Sequence, residues 1–375
     1  MLDKSLYFNR KTIMAVTKTL LFLFAVCLII GAIDCLRGNK WKLGERFSAG
    51  LQAFEPLFLT MAGIIVLIPC FQKFLTPVLA PAAKYLGMDP GLLSGVFIAN
   101  DMGGFQLAHS LTQDPRVGNF SGMLLGSVLG VNFVFTLPAA LKMVEKNDRE
   151  YLFKGLLFGF ITLPLGCFAG GLTAGYPVLF LLKQLIPVTV IAFLSVLMLW
   201  LIPEKLTVLL SKLGRGIEIV ALTGIVLAIT AELTGFSGDE RWLLEPIQEG
   251  IKIVGSIVIV LPGAYVFIEL LNRGCKNFFI KAGSKLGINH VSVLGMITSL
   301  ANSIPTFLIV KDMDKKGKVL NFAFLTGGAF ALGDHLAFCC AVAPELALPL
   351  LVTKFTAAFS ALLIVSTIYY KKTEV

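Results

Sequence analysis

The sequence predicts an all-α polytopic membrane protein: two inverted repeats of about five helical segments, each with a broken or re-entrant hairpin, joined by a linker helix. Three observations lead there. Of the 375 residues, 56% are hydrophobic and only 15% are charged, with mean hydropathy +0.84, a composition suited to lipid. Apolar segments recur along the whole length and divide as five, one and five. One segment in each half is interrupted by polar residues. Such breaks are tolerated at membrane depth only where protein or water satisfies the freed backbone groups.

In chain order the segments fall near 13–36, 53–79, 90–111 (broken), 117–141, 151–172, 184–202, 217–236, 247–271, 289–310 (broken), 318–343 and 347–369. The first follows Lys4, Arg10, Lys11 and Lys18 and imitates a signal peptide. No small-residue cleavage site follows it, so it reads as a membrane helix. The fifth carries the pairs Gly155, Gly159 and Gly166, Gly170, whose spacing implies close packing inside the bundle. Together the segments form a single transmembrane domain over 1–375, with repeat one at 13–172, the linker at 184–202 and repeat two at 217–369.

Short matches in the same order support the duplication. Ile65 to Pro69 pairs with Val258 to Pro262, Leu86–Gly87 with Leu286–Gly287, and Asn119–Phe120 with Asn321–Phe322, at a spacing that drifts only from 193 to 202 residues. The two broken segments then fall opposite one another. Paired interrupted segments are the best sequence pointer to a transporter's binding site.

Basic residues choose the topology. The net charge of +9 would suggest nucleic acid in a soluble protein, but these residues sit in short loops and report orientation instead. Setting aside Lys183, Lys252 and Lys354, which lie in or at the ends of segments, 17 Lys and Arg lie inside and 12 outside if all eleven segments span with the N-terminus inside. If the broken segments are re-entrant and the N-terminus is outside, the division becomes 21 and 8. The second arrangement is the expectation, and it inverts the second repeat. The four basic residues before the first helix argue against it.

The first broken segment runs from Pro90 to Leu111, with its interruption at Asn100, Asp101, Met102, Gly103 and Gly104; the second breaks at Asn302, Ser303 and Pro305. Asp101 is the sharpest candidate, because an ionised side chain in a membrane is costly and is retained for pairing or function. Together with the carbonyl end of the preceding half-helix, it favours a cation. The alternative is that Asp101 caps the half-helix after it, as Ser303 would in the other repeat. Asp334 and His335 are expected in the middle of the tenth segment, with Asp334 opposite Asn132. They form either a cation or proton site, since histidine changes charge near neutral pH, or a mutually satisfied buried pair. Asn100, Gln106, Asn302 and Ser303 could accept hydrogen bonds from an ammonium or hydroxyl, and any of them could equally be helix glue. His109 reads as structural. Three dispersed histidines and seven cysteines without C-x-x-C spacing indicate no metal site, and no cofactor is expected. Neither G-x-x-x-x-G-K-[ST], H-E-x-x-H nor G-x-S-x-G occurs, so ATP-driven transport and familiar hydrolase chemistry are not indicated.

The stretch Ala99 to Leu107 (ANDMGGFQL), the run Asp148 to Leu172 and the triplet Gly333, Asp334, His335 resemble the ethanolamine utilisation transporter family of bacteria. The resemblance extends from about Arg37 to the C-terminus. It implies a permease in the cytoplasmic membrane that brings ethanolamine into the cell, where a separate ammonia-lyase degrades it. Ethanolamine is a small primary ammonium near neutral pH, as lysine is. Such a substrate would take Asp101 and Asp334 as charge partners and Asn100, Asn132, Asn302 and Ser303 as polar partners. The competing readings are a transporter of another small amine or a nucleoside, and a membrane sensor or enzyme. The expected partners are the substrate and the lipid bilayer. The oligomeric state, including a homo-oligomer, stays open.

Overall fold

Long stretches without charge have one economical form in lipid, a helix that satisfies its own backbone groups. The structure, a computed structural model, describes residues 10–85, 87–235, 244–274, 281 and 283–369. Among these residues it is helical almost throughout, without a strand. Lys4 and Leu86 lie outside the described residues, as does the end of the segment expected at 217–236. Eight helices among the described residues are long and apolar enough to cross a membrane.

The chain begins with α1 (Arg10–Leu36) and α2 (Gly44–Val66), followed by two short helices, Ile68–Phe74 and Thr76–Tyr85. The first broken segment consists of α3 (Pro90–Phe97) and α4 (Gly104–Leu111). Then come α5 (Pro115–Met143), α6 (Arg149–Thr173), α7 (Val178–Leu201), α8 (Pro203–Leu233) and α9 (Ile247–Gly274). The second broken segment is α10 (His290–Ala301) with α11 (Ile304–Ile309). The chain closes through α12 (Lys315–Gly328), α13 (Asp334–Val342) and α14 (Ala347–Ile364).

Two expectations need correction. The segment placed at 217–236 begins at Pro203, so the stretch from Lys205 to Arg215 is helix rather than loop. Proline suits the first helical position, and nothing in the following turns stops propagation. The segment placed at 318–343 is not continuous. Helix α12 ends at Gly328, residues 329–333 form turns, and Asp334 opens α13 instead of sitting in mid-helix. Phe330 takes a left-handed φ of 62°. The freed amides find partners in the second broken segment, with Phe330 N–H donating to the Ser299 carbonyl and Leu332 N–H to that of Leu300, both at 2.9 Å.

Helix α5 lies at the centre, with 89% of its apolar window inside the protein, against 28% for α8 at the periphery. Much of α5 is π-helical, from Phe120 to Gly130 and from Asn132 to Thr136. At Gly130 a side chain would strike the backbone of Ile98 in the first broken segment, and at Gly126 it would press on the backbone of Ile98 and Asn100, so these positions admit the close approach of the tip. The glycines of α6 face inward as their spacing implies. Gly155 and Gly159 pack against Phe322 and Thr326 of α12, and Gly166 and Gly170 against Thr353 of α14.

Each broken segment folds back on itself. Asp89 caps α3 by accepting from Gly91 N–H, and its other oxygen accepts from Thr112 Oγ1 at 2.9 Å just beyond α4. The two ends of the segment therefore lie side by side. In the second, Asn289 N–H donates to Asp314 Oδ1 at 2.8 Å, which joins the start of α10 to the start of α12. Within the segments, Ser94 Oγ donates to the Gly104 carbonyl at 2.7 Å, and Thr298 meets Thr306 at 3.0 Å. These bonds hold both tips pointing into the bundle, away from the segment ends.

Candidate functional site

The tips are where the backbone leaves the helix. In the first, Ile98 and Ala99 are extended, Asn100 to Met102 make one 3-10 turn, and Gly103 at φ 85° reverses the chain into α4. Gly103 holds the N-cap position of α4 and no side chain caps that helix, so the capping alternative for Asp101 is not what the structure shows. In the second tip, Asn302 is extended and Ser303 occupies the N-cap position of α11 without a side-chain cap bond. The Asn302 Oδ1 accepts from Ile304 N–H at 2.9 Å instead.

Both tips reach the break between α12 and α13. Asp101 Oδ1 lies 3.6 Å from His335 Nε2, with side-chain exposures of 13% and 1%. Asn302 Nδ2 lies 3.4 Å from Asp334 Oδ2, and Asp334 Oδ1 accepts from Tyr265 OH at 2.5 Å. The ring of His335 stacks on Phe330, with centroids 5.0 Å apart. Four of the expected residues, Asp101, Asn302, Asp334 and His335, are thus brought together.

The others are placed differently. Asn132 donates to the Val128 carbonyl and, at 2.7 Å, to that of Thr326, which binds α5 to α12. Asn100 is fully buried, with Nδ2 3.7 Å from Met123 Sδ. The Oδ1 atoms of Asn100 and Asn132, Gln106 Oε1 and Ser303 Oγ are buried without a protein partner. Buried acceptors of this kind are ordinarily bonded to something. His109 is structural, its Nε2 3.0 Å from Asn119 Oδ1 and its ring beside Phe105.

A cavity of about 210 Å³ is lined by Tyr265 and Asn302, the two partners of Asp334, together with Ala301, Pro305, Arg46 and Glu269. Glu269 in this lining accepts from Arg46 Nε at 3.2 Å and from Arg273 Nε at 2.8 Å. Two buried carboxylates with an amide and a phenol beside them can accept hydrogen bonds from the donors of a small cation.

Residues 16–368 match the family described as "Ethanolamine utilisation protein, EutH". The chain belongs to this family. A Listeria monocytogenes protein named "Probable ethanolamine permease EutH" is 41% identical over 348 residues, covering 93% of both chains. A Salmonella typhimurium protein of the same name is 34% identical over 385 residues, covering 93% of this chain and 94% of its own. The Bacillus subtilis protein named "Uncharacterized protein YxeR" is 35% identical over 348 residues, with the same two coverages as the Salmonella protein. No solved structure matches the chain. This EutH-family chain is a multi-pass membrane protein by its helices and its kinship.

Two residues beside this cluster in the EutH-family chain escaped sequence reasoning. Tyr265 lies in α9, remote in sequence from both tips, and no pattern marks it. Lys354 lies within α14 and is 1% exposed; its Nζ donates to the carbonyls of Ser127 and Ala329, each at 2.7 Å. A lysine inside an apolar segment was the available signal.

Proposed function

We propose that the protein is a permease of the bacterial cytoplasmic membrane that imports ethanolamine as ethanolammonium, by alternating access at the meeting point of two re-entrant hairpins. The convergence of Asp101 and Asp334, from opposite halves of the chain, on one buried cluster with Asn302, Tyr265 and His335 carries this reading. An ammonium needs acceptors on several sides and the hydroxyl needs one partner more, and the carboxylates, amides and phenol supply both. The family and the names of its members supply the substrate.

The joined ends of each broken segment support re-entrance, since a segment whose ends meet does not cross. With the basic residues inside, the first hairpin enters from outside and the second from the cytoplasm. The pair of inverted repeats in a single domain follows from that arrangement. The cavity at Asn302 also touches Arg46 and Glu269, on the cytoplasmic side of this topology, and so offers a route from that side. Motion of the hairpins against α5, α6, α12 and α14 would close it and open the site to the other face.

The deciding experiment is uptake of labelled ethanolamine into proteoliposomes holding only this protein, at acidic pH where little neutral amine leaks through lipid. Saturable uptake by wild type, lost in Asp101→Asn and Asp334→Asn variants that elute as folded protein, is the expected result. Folded wild type without saturable uptake, with or without a proton gradient, would overturn the permease reading.

A further inference from the structure

Lys354 has no part in the reading above, and its surroundings say what it does. Its Nζ donates to the Ser127 carbonyl in α5 and to the Ala329 carbonyl at the break after α12. Both bonds, at 2.7 Å, are as short as those made by a charged ammonium. The two acceptors stand 202 residues apart, the spacing that also separates Asn100 from Asn302 and Asn132 from Asp334. One ammonium therefore joins matching positions in the two halves of the chain. At that same spacing before Lys354 stands Leu152, so the other half supplies no matching cation. The Ala329 carbonyl that it holds precedes Phe330, whose ring stacks on His335, and His335 Nε2 lies 3.6 Å from Asp101 Oδ1, so the ammonium sits at the edge of the cluster.

We propose that Lys354 is a tethered ammonium that occupies one cation position of the site and so restricts it to substrates carrying a single ammonium group. The proposal rests on the reading of this cluster as an ammonium site and names what sets its selectivity. With both carboxylates ionised, His335 neutral and Lys354 charged, one negative charge is left, which a monoammonium balances. A diammonium would bring a second positive charge against Lys354. Without the lysine, the carbonyls of Ser127 and Ala329 and both carboxylates would be open to the second ammonium. Lysine suits this role as a compact charge on a stem that α14 anchors.

The test uses purified full-length protein and ligand-induced thermal stabilisation by two probes of equal length, propylamine and 1,3-diaminopropane, with ethanolamine as reference. Wild type is expected to prefer propylamine over the diamine. In Lys354→Met and Lys354→Gln the affinity ratio should move toward the diamine by roughly ten- to a hundredfold, the effect of one unit charge in a partly screened site. Lys354→Arg should keep the wild-type preference. A ratio that stays at the wild-type value in a folded Met or Gln variant overturns the proposal. So does a wild type that binds both probes equally, a result that needs no variant to fold. Absence of any ethanolamine or propylamine binding by wild type is a separate outcome that overturns the permease reading and this proposal with it.

Discussion

Asp101 Oδ1 lies 3.6 Å from His335 Nε2, so the tip of the first broken segment meets the opening residues of a half-helix 234 positions later in the chain. That distance exceeds a hydrogen bond. It becomes an ion pair when the ring is protonated, and a small shift of the tip would shorten or break it. The contact joins the two halves of the chain at the point where both backbones are irregular.

His335→Ala should lower the initial rate of ethanolamine uptake by about tenfold or more, the loss expected when an interaction of about 1.4 kcal/mol is removed from the transport cycle. His109→Ala removes a ring held 3.0 Å from Asn119. It should reduce thermal stability while leaving the rate per folded molecule within about twofold, because its effect is on packing. Uptake normalised to monodisperse protein separates the two.

Tyr265→Phe deletes the hydroxyl that donates to Asp334 Oδ1 at 2.5 Å. A buried acceptor deprived of its partner costs about 1–3 kcal/mol. Half-saturation for ethanolamine should rise by about tenfold, the factor that corresponds to the lower part of that range. An uptake curve indistinguishable from wild type would remove Tyr265 from the site.

Gly159→Val places a branched side chain against Thr326, where even a Cβ has no room. Overpacking of this kind costs about 1–3 kcal/mol, and the unfolding temperature in detergent should fall. Gly216→Ala is the control. A Cβ there meets nothing within 4 Å in the middle of helix α8, and replacing a helical glycine by alanine stabilises by about 0.5–1 kcal/mol.

Asp314, outside the membrane-spanning helices, caps α12 and ties it to α10. Burial opposes its ionisation, but the N–H groups of Asn289 and Gly317 and the Ser292 hydroxyl together hold its pKa below the usual aspartate range. A depressed carboxylate stabilises the fold fully above its unfolded pKa, near 3.9, and loses that contribution as the pH falls through the lower folded value. Asp314→Ala should therefore be less stable than wild type at pH 7 by about 1 kcal/mol, the usual cost of a lost cap. The gap should narrow below about pH 4. Paired melting curves across that range decide the matter.

Much of this architecture was legible because lipid imposes hard constraints on a sequence. Apolar length marks the spans, and polar residues inside an apolar run mark a break that something must satisfy. Asn100–Asp101 and Asn302–Ser303 were found that way. The break before Asp334 was not, because Gly328 to Leu332 contains no polar side chain. Its amides are satisfied by Ser299 and Leu300, a pairing that exists only once the second broken segment is in place.

Most of the stretches that can cross a membrane, the polar interruptions at Asn100 and Asn302, and the carboxylates at Asp101 and Asp334 are written in the sequence alone. Each follows from the free energy of placing one residue type in lipid, a property local to the chain. Helix packing sets which groups meet. Asp101 faces His335, Tyr265 binds Asp334, and Lys354 grips one carbonyl from each half, because side chains far apart in sequence converge only when the helices pack. Their partners are set by distance in space, and no spacing along the chain records it.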